Sequence, residues 1–225
     1  FIPYSKAVGG VMVAGDSKAQ TLADLKGGKI GIAGGPLDKS WLILRAFAAQ
    51  EYGIDLSAET EQVYGAPPLI FKTALKGEVD GAINFWHFMA KMGASGMRPL
   101  VTTAEAAEAL GLDTETPLLG YVVTGQMLAD HPELVVGLAA ASRGAKELLA
   151  SDDAEWDRLR DRMNAKTDAQ FEALKAGFRA GIPAPGPVNE KAADKMLKLM
   201  VELGGEDLLG SATELPEGVF FQPGS

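Results

Sequence analysis

The residues best suited to ligand binding lie together just after a short apolar run at residues 29–33. They are Gly34, Gly35, Asp38, Lys39 and Ser40. The two glycines permit a turn with positive φ, and Pro36 suits the opening residues of a helix. Backbone N–H groups at such a strand–turn–helix junction point away from the sheet, at the positive end of the helix dipole. The segment therefore predicts a ligand site, and because its spacing is neither GxGxxG nor that of a P-loop, a nucleotide is disfavoured.

Asp38 has two interpretations. As a helix N-cap or first-turn carboxylate it would stabilise the helix by roughly 1 kcal/mol. If it faces a cleft instead, an anionic solute would meet a like charge there, at a cost that rises as water is excluded. Lys39 could offset that charge or be an ordinary solvated lysine, and Ser40 could donate a hydrogen bond to a solute.

Candidate residues also occur at two further strand ends and in a later strand. They are Tyr64, Pro67, Asn84, Trp86 and Tyr121. Asn84 is a good cleft candidate because a buried amide needs a hydrogen-bond partner. Trp86 is either a cleft wall for an apolar or planar solute or a core residue. Tyr64 and Tyr121 could hydrogen-bond a solute, and packing explains each of them equally well.

Composition excludes several classes of function. The net charge is −9 with scattered basic residues, which argues against nucleic acid and anionic membranes as partners. The sequence has no cysteine, so thiol catalysis and thiolate metal sites are excluded, and its two histidines leave little for a zinc site. The acidic pairs lack calcium-loop spacing, and there is no GxSxG motif. We therefore predict neither an enzyme nor a cofactor.

The predicted elements place three of these candidate groups at one edge of a sheet. The strands span residues 29–33, 60–64 and 81–84, and the helices after them span residues 38–51 and 68–76 and begin again at residue 85 or 86. This alternation favours a parallel sheet with right-handed crossovers. The carboxyl ends of its strands, where open α/β sheets bind ligands, would then meet.

After residue 124 the sequence predicts helices alone. Because this half has no strands of its own, its amphipathic helices are expected to cover a sheet from elsewhere. The apolar residues 10–14 likewise predict a core strand with nothing before it to pack on, so we expect the chain to lack an N-terminal part. The side chains expected to be exposed as a result are Leu134, Leu138, Leu197 and Met200.

Three phrases resemble the solute-binding proteins of ABC importers. They are LADLKGGKIGIAGG (residues 22–35), ALKGEVDGA (residues 74–82) with Trp86 just after it, and GYVVT (residues 120–124) followed by HPELV. The sequence is most similar to the sulfonate, taurine, nitrate and thiamine-precursor cluster. The phrases AGGPLDKSW, GAPPL and NFWHF further resemble a branch encoded beside quinoprotein alcohol dehydrogenases and metal-acquisition genes.

The resemblance implies an α/β fold like that of the type II periplasmic binding proteins, in which two lobes close on a solute by a hinge of two crossing strands. Residues 16–118 would form the second lobe. Residues 1–15 would contain one hinge strand, at 10–14, and residues 119–225 the return strand, at 120–124, with the helical part of an incomplete first lobe. A periplasmic location, a small-molecule solute, a membrane permease and, for the branch, a periplasmic oxidoreductase partner are also implied.

The resemblance predicts a carrier that delivers a small molecule to an ABC importer. Because relatives that bind sulfonates tend to have a small hydroxyl residue where Asp38 stands, we expect a neutral or cationic solute or a metal chelate, with Asp38 as a possible metal ligand. Three alternatives remain open. One is a non-transport accessory protein that binds a quinoprotein dehydrogenase or another protein, and a second is a sulfonate or taurine carrier. The third is an enzyme of the same fold, which would need a histidine-rich iron-binding stretch.

Overall fold

The computed structural model describes residues 1–221, which fold into a mixed five-stranded sheet flanked by helices and a separate two-stranded pair. The strands are β1 (Ile2–Ser5), β2 (Gly9–Ala14), β3 (Lys29–Ala33), β4 (Glu61–Gly65), β5 (Gly81–Phe85), β6 (Met97–Thr102) and β7 (Leu119–Tyr121). The helices are α1 (Lys39–Tyr52), α2 (Leu56–Glu59), α3 (Pro67–Leu75), α4 (Trp86–Gly93), α5 (Thr103–Ala109), α6 (Gly125–Asp130), α7 (Pro132–Ser151), α8 (Asp153–Leu159), α9 (Asp168–Ala180) and α10 (Glu190–Leu209). Short 3₁₀ helices span Leu22–Leu25 and Arg160–Arg162.

The strand order in the large sheet is β4-β3-β5-β2-β6. The predicted parallel arrangement is confirmed for β3, β4 and β5, because β3 pairs in parallel with both of the others. The sheet is not wholly parallel, since β2 runs antiparallel between β5 and β6. Val11, Met12 and Val13 are each at most 2% exposed, and such a continuous apolar run is stable only where both faces of the strand are covered.

We assigned residues 10–14 and 120–124 to two crossing hinge strands, and in the structure these segments lie in different sheets. The first segment is an inner strand of the sheet, and β1 is the strand that pairs with β7, in antiparallel register. The strand at 120–124 is also shorter than expected, because the hydroxyl of Thr124 accepts a hydrogen bond from the Met127 N–H (3.1 Å) and caps α6. The chain thus passes between its two parts at residues 6–8 and 110–118. We refer to residues 9–109 as the sheet part and to β1 with residues 119–189 as the helical part. The last helix, α10, packs on α1 of the sheet part.

The main core lies between the sheet and α1, and it extends to α10. Trp41, Leu42 and Leu44 of α1 are each at most 1% exposed. Met196 and Met200 of α10 belong to the same apolar cluster. A second cluster on α3 and α4 contains Ile70 and Met92, both fully buried, with Met12 and Ala33 of the sheet. The positions of α1 and α4, which follow strand ends directly, are therefore fixed by packing.

The helices after residue 124 are only partly as exposed as we expected. Leu134 and Leu138 of α7 are 54% and 37% exposed, as predicted. Leu197 is half-buried, and the expectation for Met200 was wrong, because it is 6% exposed where α10 packs on α1. None of the helices within residues 1–221 is long and apolar enough to cross a lipid bilayer.

Candidate functional site

Three strand-to-helix junctions meet at the carboxyl edge of β3, β4 and β5. The Gly34 N–H donates a hydrogen bond to the Gly65 carbonyl (2.9 Å), which joins the first junction to the second. The Asn84 side chain donates to the Pro67 carbonyl (3.0 Å), which joins the third to the second. The antiparallel strand β2 begins at the same edge, where Gly9 lies opposite Phe85. The convergence that the sequence predicts is thus present in the structure.

Asp38 is the N-cap of α1. One of its carboxylate oxygens accepts a hydrogen bond from the Trp41 backbone N–H (3.1 Å). The turn before it depends on Gly34, whose φ of 100° is disfavoured for a residue with a side chain. The N-cap interpretation of Asp38 therefore holds, and the carboxylate already occupies N–H groups that could otherwise bind an external anion.

The charges at this junction are partly removed from water. Burial raises the pKa of the Asp38 carboxyl above its usual range, against the opposing effects of the N–H groups of Trp41 and Ser40 and of the Lys39 charge. Loss of water around its ammonium group lowers the pKa of Lys39, and Asp38 opposes that shift. The Lys39 ammonium donates to the Leu118 carbonyl (3.0 Å) on the segment that leads to β7. Lys39 therefore connects the junction to the crossing segment.

Ser40 is a nearly buried residue in the first turn of α1. It is 5% exposed, and its hydroxyl lies beside the start of β2. A Cβ placed on Gly9 would lie 3.3 Å from this oxygen but only 2.1 Å from the Asn84 carbonyl oxygen, so the missing side chain lets β2 and β5 approach each other closely beside Ser40. Because buried polar groups are normally hydrogen-bonded, Ser40 stays a candidate for binding a ligand.

The Asn84 amide is used within the protein at both ends. The side chain is 1% exposed, and its nitrogen donates to the Pro67 carbonyl as described. Its oxygen accepts a hydrogen bond from the Phe85 N–H (2.9 Å). The partner that a buried amide requires is thus backbone, and the side chain holds the start of α3 against the end of β5.

Aromatic side chains surround this edge. Tyr64 and Phe85, at the ends of β4 and β5, are 41% and 38% exposed. Trp86, the first residue of α4, is half-buried, and its ring lies against Gly177 of α9. Trp86 thus packs against another element, and its role as a cleft wall stays a prediction.

Tyr121 lies elsewhere in the molecule. It belongs to β7, pairs with Ile2 of β1 and makes an edge-to-face contact with Tyr4 (5.5 Å between ring centroids). It also packs on the apolar cluster that contains Val135. Its described contacts are therefore with the helical part, and its hydroxyl stays a candidate only from the sequence.

Sequence reasoning missed three features of this region. It did not single out Gly9 or Gly177, because each of them contacts residues that are far away in the sequence. It also did not single out His87, whose ring packs on Phe88 (4.6 Å between centroids). Burial and, to a lesser extent, the Lys91 charge lower the pKa of His87. The run of rings in residues 85–88 was the available signal that these side chains pack on one another.

Two further observations bear on the kind of ligand. Within residues 1–221, no three His, Asp or Glu side chains lie close enough to hold a metal ion together, so Asp38 has no set of protein ligands beside it there. A cavity of about 510 Å³ lies between β1, α7 and residues 182–188, and it shares no lining residue with the predicted site.

Comparisons with known proteins identify a family and a fold. The model of the family described as NMT1/THI5 like matches residues 4–155. No curated protein matches the chain in sequence. The structure resembles the periplasmic aliphatic sulphonate-binding protein SsuA of Escherichia coli, with a TM-score of 0.73 at 20% identity over 98% of this chain and 67% of that one.

Two other solved structures extend this likeness. The alkanesulfonate-binding protein SsuA of Xanthomonas axonopodis pv. citri, bound to MOPS, gives a TM-score of 0.72 at 18% identity, over 97% of this chain and 71% of that one. The zinc-bound ligand-binding component of an ABC-type import system from Staphylococcus aureus gives 0.59 at 14% identity, over 98% of this chain and 72% of that one. The chain thus spans between two thirds and three quarters of these structures, and such identities establish the fold alone.

Proposed function

Because the chain belongs to the NMT1/THI5-like family, we propose that it is the solute-binding component of an ABC import system. The observation that carries this proposal is the meeting of three strand-to-helix junctions at one sheet edge, beside the hydroxyl of Ser40. Open α/β sheets bind ligands at such an edge. A periplasmic location and a membrane permease as partner belong to the same proposal, and the named functions of the solved structures with this fold support them.

The proposed site comprises residues from all three junctions. Its members are Gly34, Gly35, Asp38, Lys39, Ser40, Tyr64, Pro67, Asn84 and Trp86, with Tyr121 as a candidate from the helical part. We assign direct contact to the hydroxyl of Ser40 and to the exposed face of Tyr64, contact directly or through water to the carboxylate of Asp38, and a positioning role to Asn84. The sheet part and the helical part would be the two lobes of the carrier. The crossing segments at residues 6–8 and 110–118 would be its hinge.

The solute that we propose is neutral, cationic or a metal chelate. A sulfonate needs free donors at a helix N-terminus, and at α1 those donors are taken by the carboxylate of Asp38. A second negative charge beside that carboxylate would be repelled, the more so because its surroundings are partly dry. A chelate would bring its own metal ligands and would need only hydrogen bonds from the protein. The accessory role and the oxidoreductase partner stay predictions from the resemblance alone.

Anions of the kind bound by the SsuA proteins are expected to bind poorly. Titration calorimetry of the full chain with taurine, alkanesulfonates and nitrate should show no dissociation constant tighter than about 1 mM, equivalent to about −4.1 kcal/mol. Native mass spectrometry of protein purified from its source should meanwhile show a bound small molecule. Micromolar binding of taurine would restore the sulfonate carrier, and a protein that never carries or binds a small molecule would contradict the proposed function itself.

Replacing Asp38 by asparagine is expected to weaken binding of the solute identified in this way by about 1.5–3 kcal/mol, the usual contribution of a hydrogen bond to a charged group. Asp55→Asn is the matched control, because Asp55 also caps a helix, accepting a hydrogen bond from the Ser57 N–H (2.9 Å), at the far end of α1. Calorimetry should show a loss of affinity only for Asp38→Asn. Tighter binding of an anion by that variant would refute the charge argument.

A further inference from the structure

The helix α9 lies against the proposed site from the helical part, and its contact with the sheet part is made through Trp86. A Cβ on Gly177 would lie 3.0 Å from Cε3 and 3.2 Å from Cζ3 of the Trp86 ring. Real Cβ contacts are rarely so short, so the indole occupies space that only a glycine leaves free. The contact joins residue 86, at the carboxyl edge of β5, to a helix on the other side of both crossing segments.

The helix α9 is itself fixed to the first crossing segment. The Lys6 N–H and the Ser5 hydroxyl both donate hydrogen bonds to the Gly181 carbonyl, at 2.9 and 3.1 Å. At the other end of this region the Lys91 ammonium donates to the Asn164 carbonyl (3.1 Å), which ties α4 to the segment before α9. Because α9 is held at Gly181, a larger side chain at position 177 must displace Trp86 more than it displaces the helix.

We propose that Gly177 is a positioning residue for Trp86, and that this contact holds the helical part against the edge of the sheet where the solute binds. This inference rests on the proposed function, because α9 would form the second wall of the proposed solute site. The contact itself is independent of any solute. A side chain at position 177 should therefore separate α4 from α9 and expose the indole, whether or not a ligand is present.

The tryptophans of the chain make this measurable. Trp41 and Trp156 are 1% and 4% exposed, whereas Trp86 is half-buried. Quenching of tryptophan fluorescence by acrylamide in the full chain should thus report mainly on Trp86. We expect Gly177→Leu to raise the quenching constant roughly twofold and to shift the emission to longer wavelength, since the indole then leaves a packed contact for water. Gly177→Ala should give a smaller change in the same direction.

Gly144→Leu is the matched control, because Gly144 lies in the interior of α7 and a Cβ there would meet no atom within 4 Å. It should leave the quenching unchanged. In a Trp86→Phe background, Gly177→Leu should no longer change the quenching, which assigns the signal to Trp86. Equal quenching in the wild type and the Gly177→Leu variant, or an equal rise in the Gly144→Leu variant, would overturn the proposal. If circular dichroism shows Gly177→Leu to be unfolded, Gly177→Ala decides the matter by the same criteria.

These measurements use no solute, so they are separable from the test of the proposed function. A quenching change together with a failure to find any bound small molecule would leave the Trp86–Gly177 contact established and would remove the transport role. If a bound small molecule is found but the quenching does not change, the transport role stands and α9 does not position Trp86.

Discussion

Replacing Trp41 by alanine is expected to lower the free energy of unfolding by about 3–5 kcal/mol, the usual cost of truncating a buried tryptophan. The side chain is 1% exposed and belongs to the main core cluster between α1 and the sheet. The backbone N–H of Trp41 is the donor to the Asp38 carboxylate, so Trp41 lies in the turn of α1 that carries the proposed site. Against a total stability of about 5–15 kcal/mol for a typical domain, this loss is large.

Urea unfolding followed by circular dichroism is the appropriate measurement for this variant. Trp41→Phe should lose less than Trp41→Ala, because the smaller ring leaves a smaller cavity. Leu134→Ala serves as the control, since Leu134 is 54% exposed and its truncation should change the stability by no more than about 0.5 kcal/mol. If Trp41→Ala unfolds at the same urea concentration as Leu134→Ala, α1 does not depend on this core contact.

Replacing Gly9 by alanine is expected to destabilise the protein by about 3 kcal/mol, at the upper end of the usual cost of overpacking. A Cβ at this position would lie 2.1 Å from the Asn84 carbonyl oxygen and 3.0 Å from its carbon. Both are backbone atoms of the neighbouring strand, so no rotation of a side chain can relieve the clash. Gly9, at the start of β2, lies opposite Phe85 of β5, and this end of β2 would have to move away from β5.

The same change should abolish solute binding, because it alters the space beside the Ser40 hydroxyl. Gly35→Ala is a suitable control for stability, since a Cβ at Gly35 would meet no atom within 4 Å. Thermal unfolding and calorimetry of the two variants would separate the effects. An alanine at position 9 that leaves both stability and binding as in the wild type would show that β2 does not approach β5 as closely as described.

Much of the local structure near the site could be predicted from the sequence. The alternation of apolar runs with capped helices identified β3, β4 and β5 and their parallel pairing, because each such unit depends on residues close to one another in the chain. The glycine turn followed from residue type, since Gly34 needs a positive φ. The capping role was one of the two interpretations of Asp38, because a carboxylate satisfies the first N–H groups of a helix. Even the convergence of the three junctions was implied, because parallel strands end at one edge.

Tertiary structure decided what depends on residues far apart in the chain. The pattern of β2 shows a buried strand, yet only the completed sheet shows that it runs antiparallel between β5 and β6. Asn84 needs a partner, and the fold supplies the Pro67 carbonyl. Ser40 lies where β2 approaches β5 closely only because Gly9 has no side chain, and Trp86 meets Gly177 only because α9 folds back onto α4. Residue type sets which groups need a partner or space, whereas packing between distant segments determines where each one finds it.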